Sequence, residues 1–259
     1  MSPFQEVETF AFFIGYPRSG HSLVGACLDA HPNAVVSHEL DALELIKNGI
    51  DRIALFNAIC EKSKVFYESG NEWSGYTYRI PGMWQGRYET IRLIGDKRGG
   101  RSVTHLEEQP ELLNDVKKLA MKFRMIHVVR NPFDCIATAV SKQQIIQQRN
   151  FTSDDLLEKA KDFFQKAQTI KQLIEQEKES ILTIRHENLL VDPRKELKDL
   201  VLFLDLPFRE DWMEACATVI WPSAHKSRNK IDLWEPPIID YFQEKIDLFP
   251  FFNGYNFDS

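Results

Sequence analysis

Cysteine is scarce and scattered. The chain has four, Cys27, Cys60, Cys135 and Cys216, with no CxxC pair. That spacing excludes a zinc ribbon and fits a reducing compartment. Long apolar runs are also missing. No window approaches the roughly 18 consecutive apolar residues of a membrane span. The first apolar stretch, FAFFIG, follows no basic segment and stops at Gly15. It is too short for a secretory leader or a spanning helix. The expectation is a soluble, cytoplasmic protein with no membrane span. Positive charge is not in excess either. Thirty-two Lys and Arg face 38 Asp and Glu, for a net charge of −6. That excludes nucleic acid as a general partner, although a local basic pocket stays possible. Repeats, low-complexity tracts and Pro/Gly/Ser-rich linkers are absent.

What remains is an ordinary globular composition of 43% hydrophobic, 27% charged and 12% aromatic residues over 259 positions. These values exclude disorder, collagen and coiled coil as global descriptions. A chain of this size buries roughly 70–75% of its unfolded surface, so it needs no disulfide or structural metal. One α/β domain over residues 1–259 is the simplest reading.

Short apolar runs at 10–15, 34–37, 91–95, 124–129 and 180–184 read as buried strands. Helical patterns occupy 21–30, 40–47, 51–67, 110–122, 133–148, 153–178, 193–204, 209–219 and 236–247. Apolar strands alternating with helices predict a central parallel sheet with helices on both faces. Two stretches break the alternation, 70–88 with its aromatics and 220–237 with its prolines and cations. The first reads as a loop or hairpin excursion and the second as a long loop, settings where function concentrates.

The main signal is FFIGYPRSGHSLVGACLDAHP. A strand ends at Gly15, and Gly15-x4-Gly20-x-Ser22 has the spacing of a phosphate-cradling loop before a helix that starts near His21. Glycines let successive N–H groups converge on one oxyanion, and the helix N-terminus adds its positive end. Ser19 and Ser22 add hydroxyls. An ATP-binding loop would have Lys where this chain has His21, and its cation sits instead at Arg18. The loop expects an anion other than the ATP triphosphate.

A second anion motif is IHVVRNPFDCIATAVS. Arg130 ends a strand, Pro132 opens a helix, Asp134 lies in its first turn, and Thr138 is one turn further along the same face. Arg130 and Thr138 can then meet a phosphate at the carboxyl edge of the sheet.

Together, YPRSGHS and RNPFDCIAT resemble the 5′-phosphosulfate loop and the 3′-phosphate motif of sulfotransferases that use PAPS (3′-phosphoadenosine 5′-phosphosulfate). PRSGHSLVGACLDAHPNAVVSHE is similar to the tyrosylprotein and related bacterial and carbohydrate enzymes, and IRHENLLVDPRKELKDLVLFLDLPF to a later segment of the family. The resemblance implies the P-loop NTPase-like sulfotransferase fold. The implied activity is sulfuryl transfer from PAPS to a small-molecule or carbohydrate hydroxyl, with PAP (3′-phosphoadenosine 5′-phosphate) as product. It implies no metal, and no histidine or cysteine spacing suggests one.

By position, the resemblance assigns cofactor binding in the loop to Arg18, Ser19, Gly20, His21 and Ser22, the charge near the sulfonate to Arg18, and bridging-oxygen stabilisation to Lys97. Glu39 matches the glutamate base, with His38 as the competing base; a base working near neutral pH needs its pKa raised by partial burial. The 3′-phosphate falls to Arg130 and Thr138, with Lys226, Ser227 and Arg228 as lid residues. The chain departs from the family where His21 replaces Thr, where Thr138 replaces Ser, and where HKSRNK at 225–230 stands in place of the RKG-type lid. Acceptor loops are expected at 40–90 and 142–155, with Trp73, Tyr76, Tyr78 and Trp84 paving a site or forming a satellite core. Two other readings stand beside this one. A P-loop kinase would draw on the loop spacing and on the acid of IRLIGD, Asp96. A non-catalytic nucleotide-binding relative would explain His21 and Thr138.

Overall fold

The computed structural model describes residues 3–147, 150–221 and 223–259. Five parallel strands form the sheet: β1 (Thr9–Gly15), β2 (Ala34–His38), β5 (Leu93–Lys97), β6 (Lys122–Val129) and β7 (Ile181–Arg185). Their order is β2-β5-β1-β6-β7, which puts the first strand in the centre. A two-stranded hairpin, β3 (Glu72–Trp73) and β4 (Tyr76–Thr77), stands apart from the sheet.

Alternation along β1 explains why this strand has no polar face. Phe10, Phe12 and Ile14 belong to one core cluster, and Ala11 and Phe13 to the other. Successive side chains point to opposite faces, so a strand covered on both sides must be apolar throughout. One face is covered by α3 (Arg52–Glu68), α4 (Gly99–Glu108), α6 (Pro132–Gln147), α7 (Ser153–Gln176) and α11 (Pro236–Ile246). The other is covered by α1 (His21–Asp29), α8 (His186–Val191), α9 (Pro193–Phe203) and α10 (Glu210–Val219). Short helices α2 (Ala42–Lys47) and α5 (Leu112–Val116) complete the set. No helix among the described residues is long and apolar enough to cross a membrane.

The structure departs from the sequence reading in three places. The helix expected over 110–122 is reduced to Leu112–Val116, because Lys122 already starts the strand beside β1. Helix α4 had no counterpart in the reading. Its first residues are Gly99 and Gly100, weak helix formers that mask an amphipathic turn with Val103 and Leu106 buried. Those glycines admit the His21 ring and Pro17 at van der Waals range, so α4 packs directly on the phosphate-type loop. Helix α8 likewise has no counterpart in the sequence reading. The helix expected over 133–148 runs from Pro132 to Gln147, and position 148 lies outside the described residues.

Strands β5 and β6 flank β1, and the chain reaches them by crossovers on either side. The loop after β1 therefore opens at a topological switch point, where open α/β sheets bind ligands beyond their carboxyl ends.

Candidate active site

A cavity of about 300 Å³ opens at that edge. Its floor is the loop after β1: Pro17, Arg18, Gly20, His21 and Ser22. Gly20 takes φ +97, and a Cβ there would sit 2.5 Å from His186 Nδ1. Glycine is thus required both by the backbone and by the His186 ring packed against it. Helix α1 follows at once, with its first N–H groups unspent by any side-chain cap. The loop is therefore built to receive an anion.

His21 does not take over the role of a lysine. Burial first, then the nearby cations Lys97 and Arg18 and the His38 ring, hold its imidazole well below the ordinary range. The ring is neutral and bonded to Ser19 Oγ at 3.1 Å. Arg18, at φ 70, is the loop's cation and lines the cavity. Ser19 is fully buried under the loop and does not line it.

Arg130 ends β6 and reaches the cavity from the opposite side. It is 9% exposed. Its Nη1 donates to the Arg18 carbonyl at 3.4 Å, and its Nη2 to the His225 carbonyl and, at 3.5 Å, to Ser227 Oγ. Its Nε has no partner, and no carboxylate pairs with it among the described residues. A buried guanidinium with an unpartnered donor is costly unless an anion completes it. Thr138 lines the same wall one turn along α6. Its hydroxyl donates to the Asp134 carbonyl at 2.7 Å, so contact with a phosphate requires it to rotate.

Two lid residues lie elsewhere than expected. Arg228 is 2% exposed and turned away from the cavity. Its Nε faces Asp134 Oδ1 at 3.5 Å, and its other nitrogens donate to the Asn256 and Ser259 carbonyls. Lys226 Nζ donates to the Asp258 carbonyl at 2.8 Å. The reason is the C-terminal segment, whose free carbonyls attract both cations. Of the stretch before and around the lid cations, Trp221, Ser223, His225 and Ser227 line the cavity instead. His186, set aside in the sequence because it had no metal spacing, is also a wall residue. Burial, with the nearby Arg130 and His225, lowers its pKa to about 4, so the ring is neutral.

The third wall comes from β2 and β5. Glu39 lines the cavity just past β2. Its Oε1 accepts from Lys97 Nζ at 2.8 Å and its Oε2 from Arg98 Nη1 at 3.1 Å. Lys97 is 1% exposed and stands behind this wall. Its ammonium also donates to Ser22 Oγ and to His38 Nε2, each at 3.1 Å. Three N–H donors thus meet three acceptors, one of them in the phosphate-type loop. Its stem crosses α1 at Gly25, where a Cβ would come within 2.8 Å of Lys97 Cγ. Burial lowers the Lys97 pKa to about 8 against the pull of Glu39 and Asp96.

His38 is not placed as a base. Its Nε2 is the Lys97 acceptor, and burial, then Lys97, lower its pKa to about 3. Its ring stacks on Phe66 at 4.1 Å and meets Trp73 edge-on at 5.2 Å. Arg101 lies off the cavity, 3.6 Å from Asp41. Trp73, Tyr76 and Tyr78 line the cavity from the hairpin, joined by Leu23, Leu190, Val219 and Trp221. Trp84 does not take part, since its ring packs under the Arg87 guanidinium at 5.0 Å. The kinase reading loses its acid as well. Both Asp96 oxygens accept from the chain itself, and the residue does not line the cavity.

A glycine loop on a central parallel strand, a buried arginine opposite it and a carboxylate–lysine pair between them make up the candidate site at the carboxyl edge of the sheet. Residues 11–210 match the model of the sulfotransferase family, and the chain belongs to that family. It is a sulfotransferase. Among solved structures, the sulfotransferase domain from the curacin biosynthetic pathway is 18% identical over 94% of this chain and 98% of its own, at a TM-score of 0.55. Sulfotransferase STF9 from Mycobacterium avium is 14% identical over 94% of this chain and 77% of its own, at 0.56. Mouse sulfotransferase SULT7A1, solved with PAP, is 16% identical over 94% and 84%, at 0.52. Identities this low show a common fold. No curated protein matches the chain.

Proposed function

We propose that the enzyme sulfates a hydroxyl on a small molecule or carbohydrate, with Glu39 as general base and Lys97 and Arg18 as the charges at the leaving group. The observation that carries this reading is the position of Glu39, on the cavity wall and bonded to a lysine that also touches the loop serine. The donor supplies a sulfuryl group on a 5′-phosphate. As the acceptor oxygen bonds to sulfur and the S–O bond to that phosphate breaks, Glu39 takes the hydroxyl proton. Arg18 and the loop N–H groups face the negative charge left on the phosphate oxygen, and Lys97 adds its charge from behind the wall, through Ser22 and Glu39. The unpaired Arg130 and the hydroxyl of Thr138 suit the 3′-phosphate, and Ser227 adds a second hydroxyl there. The aromatic wall of Trp73, Tyr76 and Tyr78 suits the acceptor. The same reading takes residues 1–259 as one catalytic domain, supported by two core clusters on a single sheet. It places the enzyme in the cytoplasm, supported by four free cysteines.

A screen of phenols, alcohols and sugars with sulfur-labelled PAPS, run beside one with γ-phosphate-labelled ATP, tests the reading; sulfur label on a hydroxyl compound is expected, and transfer of the ATP label with none from PAPS would refute it. With an acceptor in hand, Trp73→Ala is expected to raise its KM about tenfold or more by removing a large ring face. PAP affinity should stay the same, and a parallel loss of PAP affinity would place Trp73 in nucleotide binding instead.

The pH profile follows from Lys97. Its folded pKa lies near 8, below the ordinary lysine value. The charged form is therefore complete below that pH and lost as pH rises through it. The ratio kcat/KM, which reports the free enzyme, is expected to fall along an alkaline limb centred near pH 8. A plateau continuing to pH 10 would remove Lys97 from the chemistry.

A further inference from the structure

Asp96 is 1% exposed and touches neither the loop after β1 nor the cavity. Its Oδ1 accepts from Ser37 Oγ at 2.8 Å and from the Leu40 N–H at 3.0 Å. Its Oδ2 accepts from the Asp41 N–H at 2.9 Å and the Ala42 N–H at 3.0 Å. Four donors face it, which fits the ionised carboxylate. Three successive backbone N–H groups converging on one anion form a nest. To build it, the chain takes Glu39 and Asp41 into the left-handed region, at φ 59 and 68. Such a conformation is strained for a residue with a Cβ and persists only where its surroundings hold it.

We propose that Asp96 is a positioning residue for sulfuryl transfer, holding the 38–42 turn in the left-handed form that presents the Glu39 carboxylate to Lys97 and to the cavity. Without the nest, Glu39 is free to relax to negative φ, which swings its Cβ and carries the carboxylate off the lysine. The Glu39 N–H also donates to the Lys97 carbonyl at 3.1 Å, which extends the β2–β5 ladder by a residue, and His105 Nε2 bonds Asp41 Oδ1 at 3.0 Å. Strand β5 thus carries side by side the group that shapes the turn and the group that pairs with its carboxylate. The inference rests on the reading of Glu39 as base.

The test titrates Lys97 by lysine-selective NMR, which needs no acceptor. The groups facing its ammonium are Glu39 and neutral His38 from β2 and the turn after it, Asp96 and Arg98 from β5 and the residue after it, and Ser22 and neutral His21 from α1. Asp96→Asn is expected to lower the Lys97 titration by about one pH unit, since both the Asp96 charge and the Glu39 contact are lost. In a Glu39→Gln background the same change is expected to be less than half as large, because the contact is already gone. Equal shifts in the two backgrounds would mean that Asp96 acts by its charge alone, and would overturn the proposal. PAP affinity within about threefold of the native value checks the fold. If Asp96→Asn does not bind PAP, Ser37→Ala is titrated instead, since it removes one donor to the nest and no charge. A smaller shift in the same direction is expected, and no shift would overturn the proposal. A Glu39→Gln enzyme that still transfers sulfuryl groups would sink the base reading separately, leaving the Lys97 cycle to be judged by itself.

Discussion

Glu39→Gln is expected to reduce sulfuryl transfer by about 10²–10⁴-fold, the range that a positioned general base supplies. Glutamine keeps the shape and can still accept from Lys97, but it cannot take the acceptor proton. PAP affinity should hold within a few-fold, because the loop and Arg130 that would receive the nucleotide are not touched. The loss should fall in kcat, since the proton moves only as the transition state forms. Single-turnover transfer beside calorimetric PAP binding checks both halves. An active Glu39→Gln enzyme would reassign the base. His38 is poorly placed to inherit the role, because its Nε2 is occupied by the Lys97 ammonium and burial keeps its pKa near 3.

Arg130→Ala is the complementary prediction, with binding lost rather than chemistry. The guanidinium is buried, uncompensated and has an orphan Nε. Truncating one partner of a buried hydrogen-bonded charge pair costs about 2–5 kcal/mol, a weakening of roughly thirtyfold or more. PAP should show the full loss. Adenosine 5′-phosphate, which lacks the 3′-phosphate, should show little of it. Equal losses for the two ligands would move Arg130 from the 3′-phosphate to the shared part of the nucleotide. Native-like PAP affinity would remove it from the site. Arg130 also donates to the Arg18 and His225 carbonyls, so a thermal melt of the unliganded variant separates lost binding from lost loop order.

The motifs that announced themselves in the sequence are those where one residue type has one geometric use. Gly15-x4-Gly20 could only mark a tight turn after a strand, and the turn is there with Gly20 at φ +97. Arg130 at a strand end and Pro132 at a helix start are equally local signals. Lys97 and Glu39 lie far apart in the chain and meet because β2 pairs with β5 in parallel, with His38 opposite Lys97. The resemblance brought those two together; spacing alone did not. The lid was misread for a physical reason. A run such as HKSRNK shows its charges but not their partners, and Arg228 and Lys226 are claimed by carbonyls of residues 256–259. Asp96 was read as a candidate metal-type acid because IRLIGD has that form. Its real partners are backbone N–H groups of a turn whose left-handed residues, Glu39 and Asp41, are not glycine. No sequence pattern signals left-handed glutamate. His186 was missed because a histidine with no spacing partner looks structural until the fold sets it against Gly20.

The central claim is that the loop after β1 and Arg130 together hold a 3′-phosphorylated adenine nucleotide and not ATP. Thermal unfolding of the native enzyme with PAP, and separately with ATP and Mg²⁺, tests it most directly. At a hundred times its Kd, PAP should add about 2.7 kcal/mol of stability and raise Tm by several degrees, while ATP with Mg²⁺ leaves Tm unchanged. A shift with ATP and Mg²⁺ and none with PAP would contradict the account.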